Sequence, residues 1–138
     1  MTQQPINRCL ADKSMDHIDH ALGRPLDPMT ESYRNYFAVS GGPLADEMAA
    51  SPFWHEGRPS GTMRFFAVTD EGRKALASHL REIGDKHRAY SITFDGHVNT
   101  VIATSRSKAK YSYFLDLSDV CSDLTFKDFS SRASVRAA

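Results

Sequence analysis

Cysteine is scarce. Cys9 and Cys121 are the only two in 138 residues, and neither has a second cysteine at metal-ligand spacing. Both are expected as free thiols in a reducing compartment. Long hydrophobic runs are missing as well: nothing approaches the roughly 20 apolar residues needed to cross a bilayer. The N-terminus has no hydrophobic core of the signal-peptide kind, so the expected location is the cytosol where the chain is made, with no membrane partner. The third absence is net charge. Seventeen Lys and Arg balance 17 Asp and Glu, for a formal charge of +0. A protein that holds nucleic acid mainly through phosphates usually carries an excess of cations, so any such role here needs a local basic patch. No internal repeat or low-complexity tract interrupts the chain.

What remains is the composition of a folded protein, with 41% hydrophobic and 25% charged residues. The length suits one domain, or two small ones folded together, with a real core.

The clearest local signal runs from Phe65 to Leu80. Phe65, Phe66, Ala67 and Val68 follow the Gly57 to Gly61 loop as a short apolar strand. Thr69 is placed to cap a helix, with Asp70 and Glu71 at the positive end of its dipole. Leu76, Leu80 and Ile83 recur at the helical period and commit one face to a core, and Gly84 ends the helix.

Upstream, residues 1–13 are polar and read as a mobile or lightly tethered arm. Ser14 is placed to cap a helix through Leu22, with Ile18, Ala21 and Leu22 on one face and Gly23 as the stop. Pro25 and Pro28 stiffen the connector that follows. A second helix is expected from Thr30, with Glu31 in its first turn, Tyr33, Tyr36 and Phe37 on one side and Arg34 and Asn35 on the other, broken by Gly41-Gly42-Pro43. A third spans 44–50 with Leu44, Ala45 and Met48 apolar. Residues 51–54 turn the chain, and the segment from Gly57 to Gly61 is an exposed loop. Tyr33, Tyr36, Phe53 and Trp54 read as core or interface packing.

After Gly84 the period changes. Tyr90, Ile92 and Phe94 alternate with Ser91 and Thr93, Asp95-Gly96 is a hairpin turn, and 98–103 is the returning strand. A helix over 106–117, opened by Thr104 and Ser105, is expected to bury Tyr111, Phe114 and Leu115. Leu124, Phe126 and Phe129 form an apolar closing segment, and 132–136 is a last edge strand or a tail.

Residues Phe66-Ala67-Val68-Thr69-Asp70-Glu71-Gly72-Arg73-Lys74-Ala75-Leu76 resemble the wing-to-helix junction of bacterial winged-helix proteins. There a strand ends at Thr, an acidic residue and Gly-Arg follow, and a Leu anchors the helix. Over most of its length the chain also resembles small phage and prophage proteins without an assigned activity. The shared features are His20-Ala21-Leu22-Gly23, Arg34-Asn35-Tyr36-Phe37, the Val68 to Gly72 junction and Ser107-Lys108-Ala109-Lys110-Tyr111. The resemblance implies a phage-encoded protein, with the disabling of a host defence complex among its roles.

Catalytic chemistry finds few residues to use. His17 and His20 at i and i+3 can share a helix face, and imidazoles bind transition metals, yet no third ligand is evident. A polar helix surface, with no metal and no cofactor, is the expectation. Ser40 before Gly41-Gly42 is not a nucleophile elbow, neither cysteine has a neighbouring histidine, and the glycine loops lack the flanking strand, Lys and helix of a phosphate loop. The stronger candidate is Thr104-Ser105-Arg106-Ser107-Lys108-Ala109-Lys110-Tyr111, in which three cations and no acid stand at a predicted helix N-terminus. The alternative is a solvated helix start that keeps the protein soluble. Arg58 and Arg64 flank the loop before the Phe65 strand and are placed to act as a wing.

The sequence therefore predicts an α+β protein: a winged-helix-like helical part over 1–84 and a β-hairpin-helix-strand part over 85–138, packed on it. The expected function is that of a non-enzymatic, phage-encoded binding protein. It contacts nucleic acid through Arg58, Arg64, Arg106, Lys108 and Lys110. The alternative is an anti-CRISPR-like protein inhibitor that docks on a host nucleic-acid-binding complex, which net neutrality suits better. A homodimer stays open.

Overall fold

The structure is a computed structural model that describes residues 6, 8–30 and 34–138. Its elements in order are α1 (Lys13–Ala21), β1 (Phe37–Ser40), α2 (Pro43–Ala50), β2 (Trp54–Glu56), β3 (Met63–Val68), α3 (Asp70–Glu82), β4 (Arg88–Phe94), β5 (His97–Ala103), α4 (Arg106–Ser118), α5 (Phe126–Arg132) and β6 (Ser134–Ala137). The protein is mixed α+β, with five helices and two three-stranded antiparallel sheets among the described residues. It divides into two compact units, Asn7–Asp85 and Lys86–Ala138, the second including Ile6.

In the Asn7–Asp85 unit the sheet order is β1-β3-β2, with Phe37 opposite Phe66 and Trp54 opposite Val68. Fully buried Ile18, Leu22 and Leu76, with Phe66 and Met48 close to it, fill the space between helices and sheet. Each such side chain contributes roughly 1.5–3 kcal/mol through the apolar surface it removes from water. The strand-to-helix junction forms at Thr69, whose hydroxyl accepts from the Gly72 amide at 3.2 Å and donates to the Pro52 carbonyl at 2.6 Å. Gly72 owes its identity to space: a Cβ there would lie 2.6 Å from the Phe53 carbonyl oxygen and 2.7 Å from a Val68 methyl. The helix stops at Gly84 (φ 69°), where the Asp85 amide reaches back to the Leu80 carbonyl at 3.0 Å. Leu76 and Leu80 are buried as expected, but Ile83 is 51% exposed, because it sits at the cap where the chain leaves the core.

The N-terminal arm is not loose where it is described. Ile6, Arg8 and Leu10 are buried. Arg8 is held by Asp19 through Nε at 2.9 Å and Nη2 at 2.7 Å, and the Leu10 amide donates to Asp16 at 2.9 Å. These bonds bring α1's start forward, so that Asp12, rather than Ser14, caps it through the Met15 amide at 3.2 Å.

The helix expected from Thr30 is replaced at its C-terminal end by β1. Residues 34–36 are irregular, while the Glu31 and Tyr33 positions lie outside the described residues. The cause is tertiary: the Asn35 side chain accepts from the Val68 amide at 2.6 Å and donates to the Val68 carbonyl at 3.1 Å, holding the chain extended beside β3. Phe37 and Val39 then pack on the core from a strand. Gly42 and Pro43 open α2 instead of breaking a helix, Pro43 standing where a missing amide is harmless. Trp54, expected in a turn, begins β2, and β3 starts at Met63, two residues before Phe65.

In the Lys86–Ala138 unit the sheet order is β5-β4-β6. Asp95 (φ 49°) and Gly96 (φ 78°) make the tight turn of the β4–β5 hairpin. Tyr90, Ile92, Phe94, Val101, Ala109 and Phe129 form the core. The closing segment is a helix, α5, capped by Thr125 through the Asp128 amide at 3.2 Å, and the last residues are a strand that pairs with β4. The stripe expected to be buried on α4 is displaced. Ala109 is fully buried, with Tyr113, Phe114 and Leu117 packed beside it, whereas Tyr111 and Leu115 are exposed. Positions 109, 113 and 117 follow the i, i+4, i+8 line of a helix, and Tyr113 is held there by an Asn99 amide that donates to its hydroxyl at 2.7 Å.

Candidate binding surfaces

The five cations expected to touch a partner fall into different situations. Arg58 lies in the β2–β3 loop, exposed, with no ion pair among the described residues. Arg64, on β3, is engaged within the fold. Its guanidinium donates to both Glu56 oxygens at 2.8 and 2.9 Å and to Asp46 at 2.8 Å, and lies 5.7 Å from the Phe66 ring centre. The hydrogen bonds from Arg64 hold the Glu56 carboxyl below its ordinary range, and Glu56 and Asp46 raise the Arg64 guanidinium further above its own. Arg58 and Arg64 belong to the Asn7–Asp85 unit, and the other three to the second.

Arg106 and Lys108 share the first turn of α4, exposed and without an ion pair among the described residues. The Lys108 amide is taken by the Ser105 hydroxyl at 3.1 Å, so one of the donors at this helix start is already satisfied. Lys110 points inward and donates to the Ser130 carbonyl at 2.8 Å, tying α4 to α5. The local basic patch is thereby reduced to Arg106 and Lys108.

Beside Lys108 on the same helix face stand Tyr111 and Leu115, at i+3 and i+7. Tyr111 is 50% and Leu115 46% exposed, and Phe126 at the start of α5 is 39% exposed. The Tyr111 and Phe126 rings meet edge to face at 5.5 Å, and each contacts Phe114, which leads inward to Phe129. An aromatic surface rooted in the core of its unit is thus open to solvent next to Lys108, while Arg106, five residues before Tyr111, lies on another side of the helix. It was hidden in the sequence because Tyr111 and Leu115 look like core residues. The signal that separates them is the small Ala109, which can only be accommodated at the closest approach of helix to sheet.

The histidine stretch of α1 is organised by arginine. Asp19 is fully buried between Arg8 and Arg24, the latter donating to it at 2.9 Å and to Asp16 at 2.8 Å. Burial opposes ionisation of Asp16, but hydrogen bonds from Arg24 and the Leu10 amide outweigh it and hold the carboxyl below its ordinary range. His17 and His20 both lie edge-on to Phe37, at 5.1 and 6.0 Å. Partial burial, then the charges of Arg34 and Arg24, keep the His20 imidazolium below its ordinary range. Among the described residues no group of three or more His, Cys, Asp or Glu could hold a metal ion. Cys9 and Cys121 are free and exposed. No helix among the described residues is long and apolar enough to cross a membrane.

The chain matches no family model, no curated protein and no solved structure, and its function is read from these surfaces.

Proposed function

We propose that this chain is a non-enzymatic binding protein that docks on a partner protein through the exposed face of α4 and α5. One observation carries the reading: Tyr111, Leu115 and Phe126 are open to solvent on a rigid aromatic cluster, while Arg64 and Lys110, two of the five candidate cations, are engaged inside the fold. Aromatic side chains presented at low entropic cost are the usual anchors of protein interfaces, and a neighbouring cation adds selectivity for an acidic partner. The zero net charge agrees with this better than with a phosphate-tracking surface.

The resemblance to phage and prophage proteins points to a host nucleic-acid-binding complex as the partner, reached in the host cytosol, which is an anti-CRISPR-like mode of action. The β3-to-α3 junction at Thr69, with Leu76 buried behind it, supports a winged-helix-like kinship for the first unit. The second reading, direct nucleic-acid binding, is favoured by Lys108 beside exposed Tyr111, with Arg106 exposed in the same first turn, since a cation next to an open ring forms a platform for single strands.

A pull-down from host lysate with and without nuclease, using the wild type and Tyr111→Ser/Leu115→Ser, tests both. Protein docking predicts capture that survives nuclease and is lost in the double variant. Failure of that capture, with nucleic acid retained at low salt and released as salt rises, sinks the docking reading in favour of the second.

A further inference from the structure

A cleft of about 230 Å³ lies within the Asn7–Asp85 unit, between α1, α2 and the turn into β2. Half-buried Leu44 and Phe53 form its open apolar wall over buried Ile18, Met48 and Trp54, and exposed Ser14 and Glu47 with half-buried His17 and Ser51 complete the polar part. Its volume suits one ring with a short side chain, at the small end of ligand sites.

Its charge is one-sided. Glu47 is the only Asp, Glu, Lys or Arg of the lining, and its carboxylate has no ion pair among the described residues. That contrasts with Asp16, Asp19 and Glu56 of the same unit, each of which is taken by arginine. The His17 ring is turned edge-on to Phe37, which fixes its plane on the wall of the cleft. An apolar bed with a single unpaired anion selects a compound that is apolar at one end and cationic at the other.

We infer that this cleft binds a small organic ammonium compound, its ring against half-buried Leu44 and Phe53 and the edge of Trp54, and its ammonium at the Glu47 carboxylate. This site is independent of the α4–α5 surface. Trp54 is the only tryptophan in the chain, so its fluorescence reports occupancy without ambiguity. Phenethylamine titrated into the full chain is expected to give a saturable change in that emission, while phenylacetate, of similar shape and opposite charge, gives none. Glu47→Gln keeps the shape of an exposed side chain and is expected to weaken phenethylamine about five-fold, as befits a solvent-accessible ion pair. Ser14→Phe, also at an exposed position, fills the cleft and is expected to abolish the response with the urea midpoint unchanged. An unsaturable response to phenethylamine, equal binding of phenylacetate, or an unchanged affinity in Glu47→Gln overturns the proposal.

Discussion

The two units differ in how deeply their ion pairs are set. In Asn7–Asp85 the arginines Arg8, Arg24 and Arg64 are drawn into ion pairs with Asp19, Asp16, Glu56 and Asp46, and the buried pair at Arg8 and Asp19 ties the N-terminal arm to α1. In Lys86–Ala138 Arg132 pairs with Asp95 in the open, Arg106 and Lys108 stay in solvent, and the core is built from tilted rings around Phe129. The difference teaches where a partner can gain most. A guanidinium already satisfied by two carboxylates has little left to offer, whereas an open ring beside a free ammonium offers apolar area and charge together.

The comparison is broken most severely at Asp19. Asp19→Ala leaves Arg8 buried without its main partner, and uncompensated buried charge is expensive: a loss of about 3–5 kcal/mol is expected. Urea unfolding followed by Trp54 emission measures it, and a loss below about 1 kcal/mol would show that the ionic network is not what fastens the arm.

Gly72→Ala tests the other fixture of that unit. Its methyl group meets the Phe53 carbonyl and Val68, so overpacking is expected to cost about 1–3 kcal/mol in the same measurement. An unchanged midpoint would mean that α3 shifts without resistance.

Acid should separate the units next. The folded-state carboxyls of Asp16 and Glu56 titrate below their ordinary values of 3.8 and 4.5, so the unfolded chain binds more protons in that range. Stability that these groups supply is present above the ordinary values and is lost as pH falls through and below them. His20, held below its ordinary 6.5, acts in the same direction at higher pH: its neutral form is favoured by folding, so stability declines as pH drops through 6.5. Trp54-detected stability is therefore expected to fall on acidification from pH 7 to about 3, first through His20 and then through the two carboxyls, and a flat profile would contradict all three assignments.

The smallest effect on stability is expected on the exposed aromatic face. Leu115→Ser should change the unfolding free energy by no more than about 0.5 kcal/mol, and Tyr111→Ala by about 1 kcal/mol, because half of each side chain faces water while the Tyr111 ring also meets Phe114 and Phe126. Their large effect is reserved for partner capture, and a large loss of stability instead would return them to the core.

Much of this was legible in the chain. Thr69 and Gly84 bound α3, Asp95-Gly96 turns the hairpin, and the alternation of Tyr90, Ile92 and Phe94 marks the buried face of β4, because caps, turns and period-two patterns are local and act through the residues that spell them. Phe37 shows where local reading stops. Its neighbours suit a helix, yet Asn35 bonds to the Val68 backbone and places Phe37 opposite Phe66, a partner that no window around position 37 contains. The site divides in the same way. Arg106 and Lys108 stand where the sequence put them, on the first turn of α4, while Arg64 and Lys110 look identical on paper and are claimed by Glu56, Asp46 and Ser130.

What the sequence alone determined is the α+β class, the helix start at Thr69 and the absence of net charge. What only tertiary structure decided is which side chains are left over, since a charge or a ring is open to a partner only if nothing distant in the chain has reached it first. Burial of Ala109 rather than Tyr111 is the physical instance: the helix turns its smallest residue to the sheet, and the aromatic ring is left in water.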